Sequence, residues 1–158
     1  MSVPSQASYR SDLSARGLKI SVLCSRFNEA VCEQLLSGTL ATLTSLGADA
    51  DKVKVLRVPG AFELPLAMRL AIKEGADAVI ALGTVVKGET PHFDFVCSAV
   101  AQALNNLSVK HRVALGFGLV TTLTQEQALQ RAGGAHGNRG SDAAAAAVEM
   151  ALVLRSRS

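Results

Sequence analysis

Ala78-Val79-Ile80-Ala81-Leu82, continued by Gly83-Thr84-Val85-Val86-Lys87-Gly88-Glu89-Thr90-Pro91-His92-Phe93-Asp94, is the stretch on which the fold turns. Its first five residues carry no polar side chain, as a strand buried on both faces of a parallel sheet should read. Residues 83–90 read as a loop. Beyond them Phe93, Val96, Cys97, Val100, Leu104 and Leu107 recur at helical spacing, which predicts a helix over about 91–109. Thr90 suits its N-cap and Pro91 its first helical position, where a missing N–H costs nothing.

Outward from this stretch the same alternation repeats. Towards the N-terminus, 53–58 is a β-branched strand closed by Pro59-Gly60, and 63–74 is a helix ended by Gly75. Before them, 20–24 is a short apolar strand. A helix over 29–46 carries Val31, Leu35, Leu36, Leu40, Leu43 and Leu46 on one stripe and stops at Gly47, with Asn28 placed as its N-cap. Towards the C-terminus, 113–120 is a fourth strand, and helices over about 125–132 and 138–155 are split by a glycine-rich loop, 133–137. The pattern βαβαβαβαα predicts a three-layer α/β fold: a four-stranded parallel sheet of flavodoxin-like order 2-1-3-4, flanked by helices. Residues 1–17 read as an N-terminal arm and 18–158 as a single domain. In such a sheet, ligands bind beyond the carboxyl ends of the strands where the strand order switches.

Composition narrows the function. With 158 residues the chain has the length of one domain, and at 18% charged and 49% apolar residues it is not disordered. Mean hydropathy of +0.28 implies more apolar surface than one small core hides, and hence subunit interfaces. No apolar run reaches membrane-spanning length. The net charge of +3 is spread out and there is no Trp, unlike the dense basic stripe with aromatics of a nucleic-acid binder. Three cysteines without a CxxC pair read as reduced intracellular thiols, and the first ten residues lack the apolar core of a signal peptide, so a cytoplasmic location is expected. Cys24 and Cys97 sit on apolar faces and read as core rather than as nucleophiles. Three scattered histidines give no metal-ligand spacing. Gly116-Phe117-Gly118 lies inside a strand and is no phosphate fingerprint.

The loops at the carboxyl ends hold the candidate chemistry. Phe27, after the first strand, either stacks on a planar ligand ring or packs on the helix that follows. After the second strand, Gly60 permits a tight turn that offers the backbone of Ala61 and Phe62 to a ligand. Glu63 is either an acceptor for ring N–H groups and hydroxyls or simply an acid favoured by a helix start. Free N–H groups at the start of the third helix, beside Gly88, suit phosphate. His92 in that first turn is either a solvated side chain or a neutral imidazole able to exchange protons near pH 7, because the dipole disfavours its charged form. Asp94 does not face His92 at this spacing and reads as a dipole-favoured acid. Arg131 and Arg139 flank the glycine loop, either as solvated helix ends or as a phosphate clamp.

Five co-linear motifs resemble those of the 6,7-dimethyl-8-ribityllumazine synthase family over about residues 18–154. They are Arg26-Phe27-Asn28, Val58-Pro59-Gly60-Ala61-Phe62-Glu63, Ala81-Leu82-Gly83-Thr84-Val85-Val86-Lys87-Gly88, His92-Phe93-Asp94-Phe95-Val96 and Arg131-Ala132-Gly133. The resemblance implies the penultimate step of riboflavin biosynthesis, condensing 5-amino-6-(D-ribitylamino)uracil with 3,4-dihydroxy-2-butanone 4-phosphate without cofactor or metal. It implies that Phe27 stacks on the pyrimidine, that Ala61, Phe62, Glu63, Thr84, Val85 and Val86 hold the pyrimidine and ribityl chain, and that Glu89 and Thr90 form the phosphate loop. His92 is the implied proton-transfer residue. Phe117 and the phosphate-binding Arg131 are implied to come from a neighbouring subunit, with Arg139 and Asp142 in supporting places. Two departures stand out: Arg139 and Ala135 occupy positions where the family often has Lys. Glu89 puts a carboxylate beside the phosphate, which requires its backbone N–H to do the binding.

The implied assembly is a homopentamer. The uninterrupted Arg131–Gly140 segment favours closure into an icosahedral shell, and riboflavin synthase is a candidate partner. The alternative within the family is a weakly active member serving mainly as a riboflavin-binding shell scaffold; retention of Glu63, His92 and Arg131 together argues for activity. A response-regulator receiver is excluded by Ser25-Arg26 and Gly83-Thr84, where such a domain needs acidic residues.

Overall fold

A computed structural model describes residues 9–158. Four parallel strands, β1 (Ile20–Ser25), β2 (Val53–Val58), β3 (Ala78–Val86) and β4 (Ala114–Thr122), form a sheet of order β2-β1-β3-β4, as expected from the sequence. The helices are α1 (Glu29–Ser45), α2 (Leu64–Lys73), α3 (His92–His111), α4 (Gln125–Gln130) and α5 (Arg139–Ser156). β1 and β3 are central and bury side chains on both faces. Ile20, Val22, Cys24, Ile80 and Leu82 join α1 and α5 on one side, while Leu23, Val79 and Ala81 join α2 and α3 on the other. This period-2 division between two apolar clusters makes the fold three-layered.

Glycines set how closely the layers approach. A Cβ on Gly116 would fall on the Ala143 carbonyl, and one on Gly140 would fall on the Leu35 carbonyl. The Gly116-Phe117-Gly118 stretch therefore serves helix packing: α5 presses its alanine run onto β4, and Phe117 alternates to the opposite face, 47% exposed.

Several local expectations are corrected. Residues 83–86 are strand, not loop, because β4 continues far enough to pair with them: Thr84, Val85 and Val86 lie opposite Val120, Thr121 and Thr122. Pro91, not Thr90, is the N-cap of α3, and no side chain caps that helix. α3 also takes in His111, whose expected place was the following loop. Asn28 stands at the N-cap of α1 but in a left-handed conformation, and its side chain makes no capping hydrogen bond. The glycine loop 133–137 is part of a small antiparallel pair, β5 (Ala132–Gly134) with β6 (Gly137–Asn138). Asn138 there caps α5, its Oδ1 accepting from the N–H of Gly140 at 2.8 Å and of Ser141 at 3.2 Å. The arm read over residues 1–17 falls partly outside the described residues; within them Ala15 is buried and its N–H donates to the Leu46 carbonyl at 2.8 Å.

Candidate functional site

The chain steps from β1 to β2 in one direction across the sheet and reaches β3 on the other side of β1, so the connections leaving β1 and β3 diverge. A crevice must open above their carboxyl ends. A cavity of about 310 Å³ lies there. Its walls come from four segments. The turn after β1 supplies Phe27; the turn after β2 supplies Gly60, Ala61, Phe62 and Glu63; the end of β3 supplies Thr84, Val85 and Val86; and the entry to α3 supplies Gly88, Thr90, His92, Phe93 and Val96.

Backbone hydrogen bonds tie the first two turns together. The N–H of Arg26 donates to the Val58 carbonyl at 2.8 Å and that of Phe27 to the Pro59 carbonyl at 3.1 Å. Phe27 is 71% exposed and lines the cavity, so it is not packed away on α1. A side chain at Gly60 would stand 3.2 Å from the Glu63 carboxylate and 3.9 Å from the Phe27 Cβ. Its absence lets the carboxylate lie over the turn close to the aromatic wall. Ala61 is buried, whereas Phe62 is 64% exposed at the rim.

Thr84 is the singular feature of the floor. It is 2% exposed, and its Oγ1 is the one buried side-chain polar atom without a hydrogen-bond partner among the described residues. A buried hydroxyl without a partner is uncommon; this oxygen has almost no accessible surface, so the cavity meets Thr84 through its other atoms and the hydroxyl is not offered to a ligand there. Opposite it, α3 begins without a side-chain cap, so its first N–H groups stay open to an anion next to Gly88 and Thr90. His92 is the first residue of that helix and is exposed. The cavity thus combines an aromatic plate, a carboxylate, a helix start with open N–H groups and an imidazole.

Nine residues singled out from the sequence line this cavity: Phe27, Ala61, Phe62, Glu63, Thr84, Val85, Val86, Thr90 and His92. Glu89 does not line it, although Gly88 and Thr90 on either side do; its side chain is exposed. Phe117, Arg131, Arg139 and Asp142 also stay outside it. Arg131 ends α4, with its Nη1 donating to the Gln127 carbonyl at 3.0 Å. Arg139 and Asp142 pair with each other at 3.2 Å on the first turn of α5. Phe93 and Val96, read from the sequence as part of the helical stripe and of the His92-Phe93-Asp94-Phe95-Val96 motif but given no role, are half-buried and also line the cavity.

The thiols take no part. Cys24 and Cys32 are fully buried, and burial pushes them up to about 11 and about 12, well above the range of a reactive thiol. Burial also raises Cys97. Among the described residues no three of His, Cys, Asp and Glu converge as a metal-ligand set, and no helix is long and apolar enough to cross a membrane.

Comparison with known proteins agrees with this geometry. Residues 17–155 match the family model of 6,7-dimethyl-8-ribityllumazine synthase. A 6,7-dimethyl-8-ribityllumazine synthase of Syntrophus aciditrophicus is 48% identical over 144 residues, covering 90% of this chain and 94% of its own length. Another, of Aquifex aeolicus, is 43% identical over 149 residues, covering 94% and 97%. With nearly its whole length matched and the cavity at the carboxyl edge of its sheet lined by residues of the motifs that first suggested the relationship, the chain belongs to the 6,7-dimethyl-8-ribityllumazine synthase family.

Proposed function

We propose that this chain condenses 5-amino-6-(D-ribitylamino)uracil with 3,4-dihydroxy-2-butanone 4-phosphate to give 6,7-dimethyl-8-ribityllumazine. The 5-amino group attacks the ketone and water leaves as the imine forms; the phosphate is then eliminated. Loss of the C3 proton with the phosphate leaves an enol that tautomerises to a ketone at C3, and the ribitylamino nitrogen closes the second ring on that new carbonyl, again with loss of water. No electron donor or acceptor is needed, so the chemistry asked of the protein is positioning and proton transfer.

In this reading Phe27 stacks on the pyrimidine, Glu63 accepts from the ribityl hydroxyls or ring N–H groups, and Ala61, Phe62, Thr84, Val85 and Val86 complete that half of the cavity. The turn leading into α3, at Glu89 and Thr90, receives the phosphate through backbone N–H groups, and His92 beside it moves protons. The supporting observation is that Phe27, Glu63, Thr84 and His92, from four separate segments, meet around one cavity in a chain of this family.

Phe117 and Arg131, which lie outside their own chain's cavity, act in this reading at the cavity of a neighbouring copy, as the family resemblance implies, Arg131 on the phosphate. A homopentamer supplies such neighbours, and closure into an icosahedral shell extends it. The exposed apolar residues Val55, Leu56, Leu66 and Phe95 are surface that such packing would cover. Arg139 and Asp142 support the same region. Residues 18–158 act as one domain behind the N-terminal arm, in the cytoplasm, with riboflavin synthase as the partner that would use the product.

Mixing the two substrates with the protein and following the lumazine by its fluorescence tests the activity directly. His92→Ala should fold and lose about a hundredfold in kcat, the low end for a general acid–base group, since amine and ketone already react once positioned. Unchanged kcat across pH would remove His92 from proton transfer; absence of product with the unaltered protein would overturn the activity.

A further inference from the structure

Asn28 follows the aromatic residue of the cavity and sits at φ 59°, ψ 59°. Asn is among the few residues other than Gly that tolerate this left-handed region. Its carbonyl starts α1, accepting from the N–H groups of Val31 and Cys32 at 3.2 Å each. Its side chain would ordinarily cap the same helix, but it turns away instead. The Asn28 Nδ2 donates to the Gln125 Oε1 at 2.6 Å, and the Gln125 Nε2 donates back to the Asn28 Oδ1 at 2.9 Å. Two primary amides thus form a reciprocal two-point contact between segments 97 positions apart in sequence. Gln125 is itself held, because it opens α4 immediately after Thr124, whose Oγ1 accepts from the Gln127 N–H at 3.1 Å. The contact therefore joins the turn after β1 to the turn after β4 across the carboxyl edge of the sheet.

The need for such a contact follows from the exposure of Phe27. Its ring has little packing to fix it, so its direction depends on its backbone. On one side that backbone is anchored by its own N–H, which reaches the Pro59 carbonyl at 3.1 Å and the Ser25 Oγ at 3.2 Å. On the other side its carbonyl accepts from the Cys32 Sγ at 3.4 Å, and Asn28 follows in its left-handed conformation with its side chain held, among the described residues, only by Gln125. We infer that Asn28 and Gln125 are positioning residues that, through their reciprocal amide contact, hold the Phe27 ring at the pyrimidine wall of the cavity. This rests on the reading that Phe27 stacks on the pyrimidine. Neither amide lines the cavity, so both act through Phe27 and not on the substrate.

Steady-state kinetics of four variants, with each substrate varied separately, test the inference. Gln125→Ala removes the contact from an exposed helix start. Asn28→Gly removes it too, while the glycine keeps the left-handed backbone accessible. Each should raise the apparent KM for the pyrimidine about three- to tenfold, the scale of one or two exposed neutral hydrogen bonds, with the KM for the four-carbon phosphate held within about a factor of two. The double variant should be no worse than either single one, since both remove the same contact. Phe27→Ala is the reference. If it leaves the pyrimidine KM unchanged, the stacking reading itself fails. If it raises that KM while Gln125→Ala and Asn28→Gly do not, the stacking stands and the positioning role is overturned. Equal rises in both KM values would likewise overturn it, because general loosening of the fold does not distinguish the two substrates.

Discussion

Thr84→Val should make the protein more stable and leave substrate binding nearly unchanged. Valine has nearly the shape of threonine, and the difference lies in a hydroxyl that is 2% exposed at the residue level and has no partner. An unpaired buried polar group costs about 1–3 kcal/mol, so removing it should gain about 1–2 kcal/mol. For a chain of this length that raises the melting temperature by roughly 2–4 °C per kcal/mol. The oxygen has almost no accessible surface, so a ligand in the cavity does not bond to it and the pyrimidine KM should stay near its original value. The KM for the phosphate substrate should do the same. Thermal unfolding at one fixed protein concentration, run beside steady-state kinetics, reads both effects. A lower melting temperature would refute the reasoning, because it would mean that the hydroxyl is satisfied within the protein; a raised pyrimidine KM would mean that it reaches the ligand after all.

Arg131→Ala should weaken binding of the four-carbon phosphate about ten- to a hundredfold, the value of a hydrogen bond to a charged group, and reduce competition by inorganic phosphate. Pyrimidine affinity should hold; the opposite pattern would reverse the assignment of the two halves of the site. Alkaline pH should destabilise the fold through Cys24 and Cys32. Both thiols titrate higher folded than their ordinary value of 9.0, so their stabilisation is complete below about pH 9 and disappears as pH rises towards 11–12. Urea midpoints should fall across that window, and a C24A/C32A variant should flatten the fall. Gly116→Val should fail to pack α5 on β4, because its Cβ would occupy the place of the Ala143 carbonyl; the expected loss is about 3 kcal/mol or more, at the upper end for overpacking, and soluble yield with circular dichroism checks it.

Much of the architecture was written in local pattern. The unbroken apolar run at 78–82 marks a strand buried on both faces, and the stripe Val31, Leu35, Leu36, Leu43 marks the helix face that α1 buries against the sheet. Strand and helix periods differ, so their alternation, with the handedness of parallel crossovers, leaves few sheet orders, and the observed β2-β1-β3-β4 is one of them. The switch in that order locates the site at the loop ends, and nine of the residues read from those loops meet at the cavity.

Tertiary structure decided what depends on a partner distant in sequence. Residues 83–86 look like a loop until β4 lies alongside to supply their ladder, since strand extension is a property of the pair. Asn28 has the composition of a helix cap, and capping was lost because Gln125, 97 positions away, offered two hydrogen bonds where the helix offered fewer. The glycines at 116 and 140 read alike in sequence with those of turns; only the approach of a neighbouring carbonyl makes a side chain there impossible. The unpaired hydroxyl of Thr84 is of the same kind. Whether a buried polar atom is satisfied is settled by every element that packs around it, and no window of sequence contains them all.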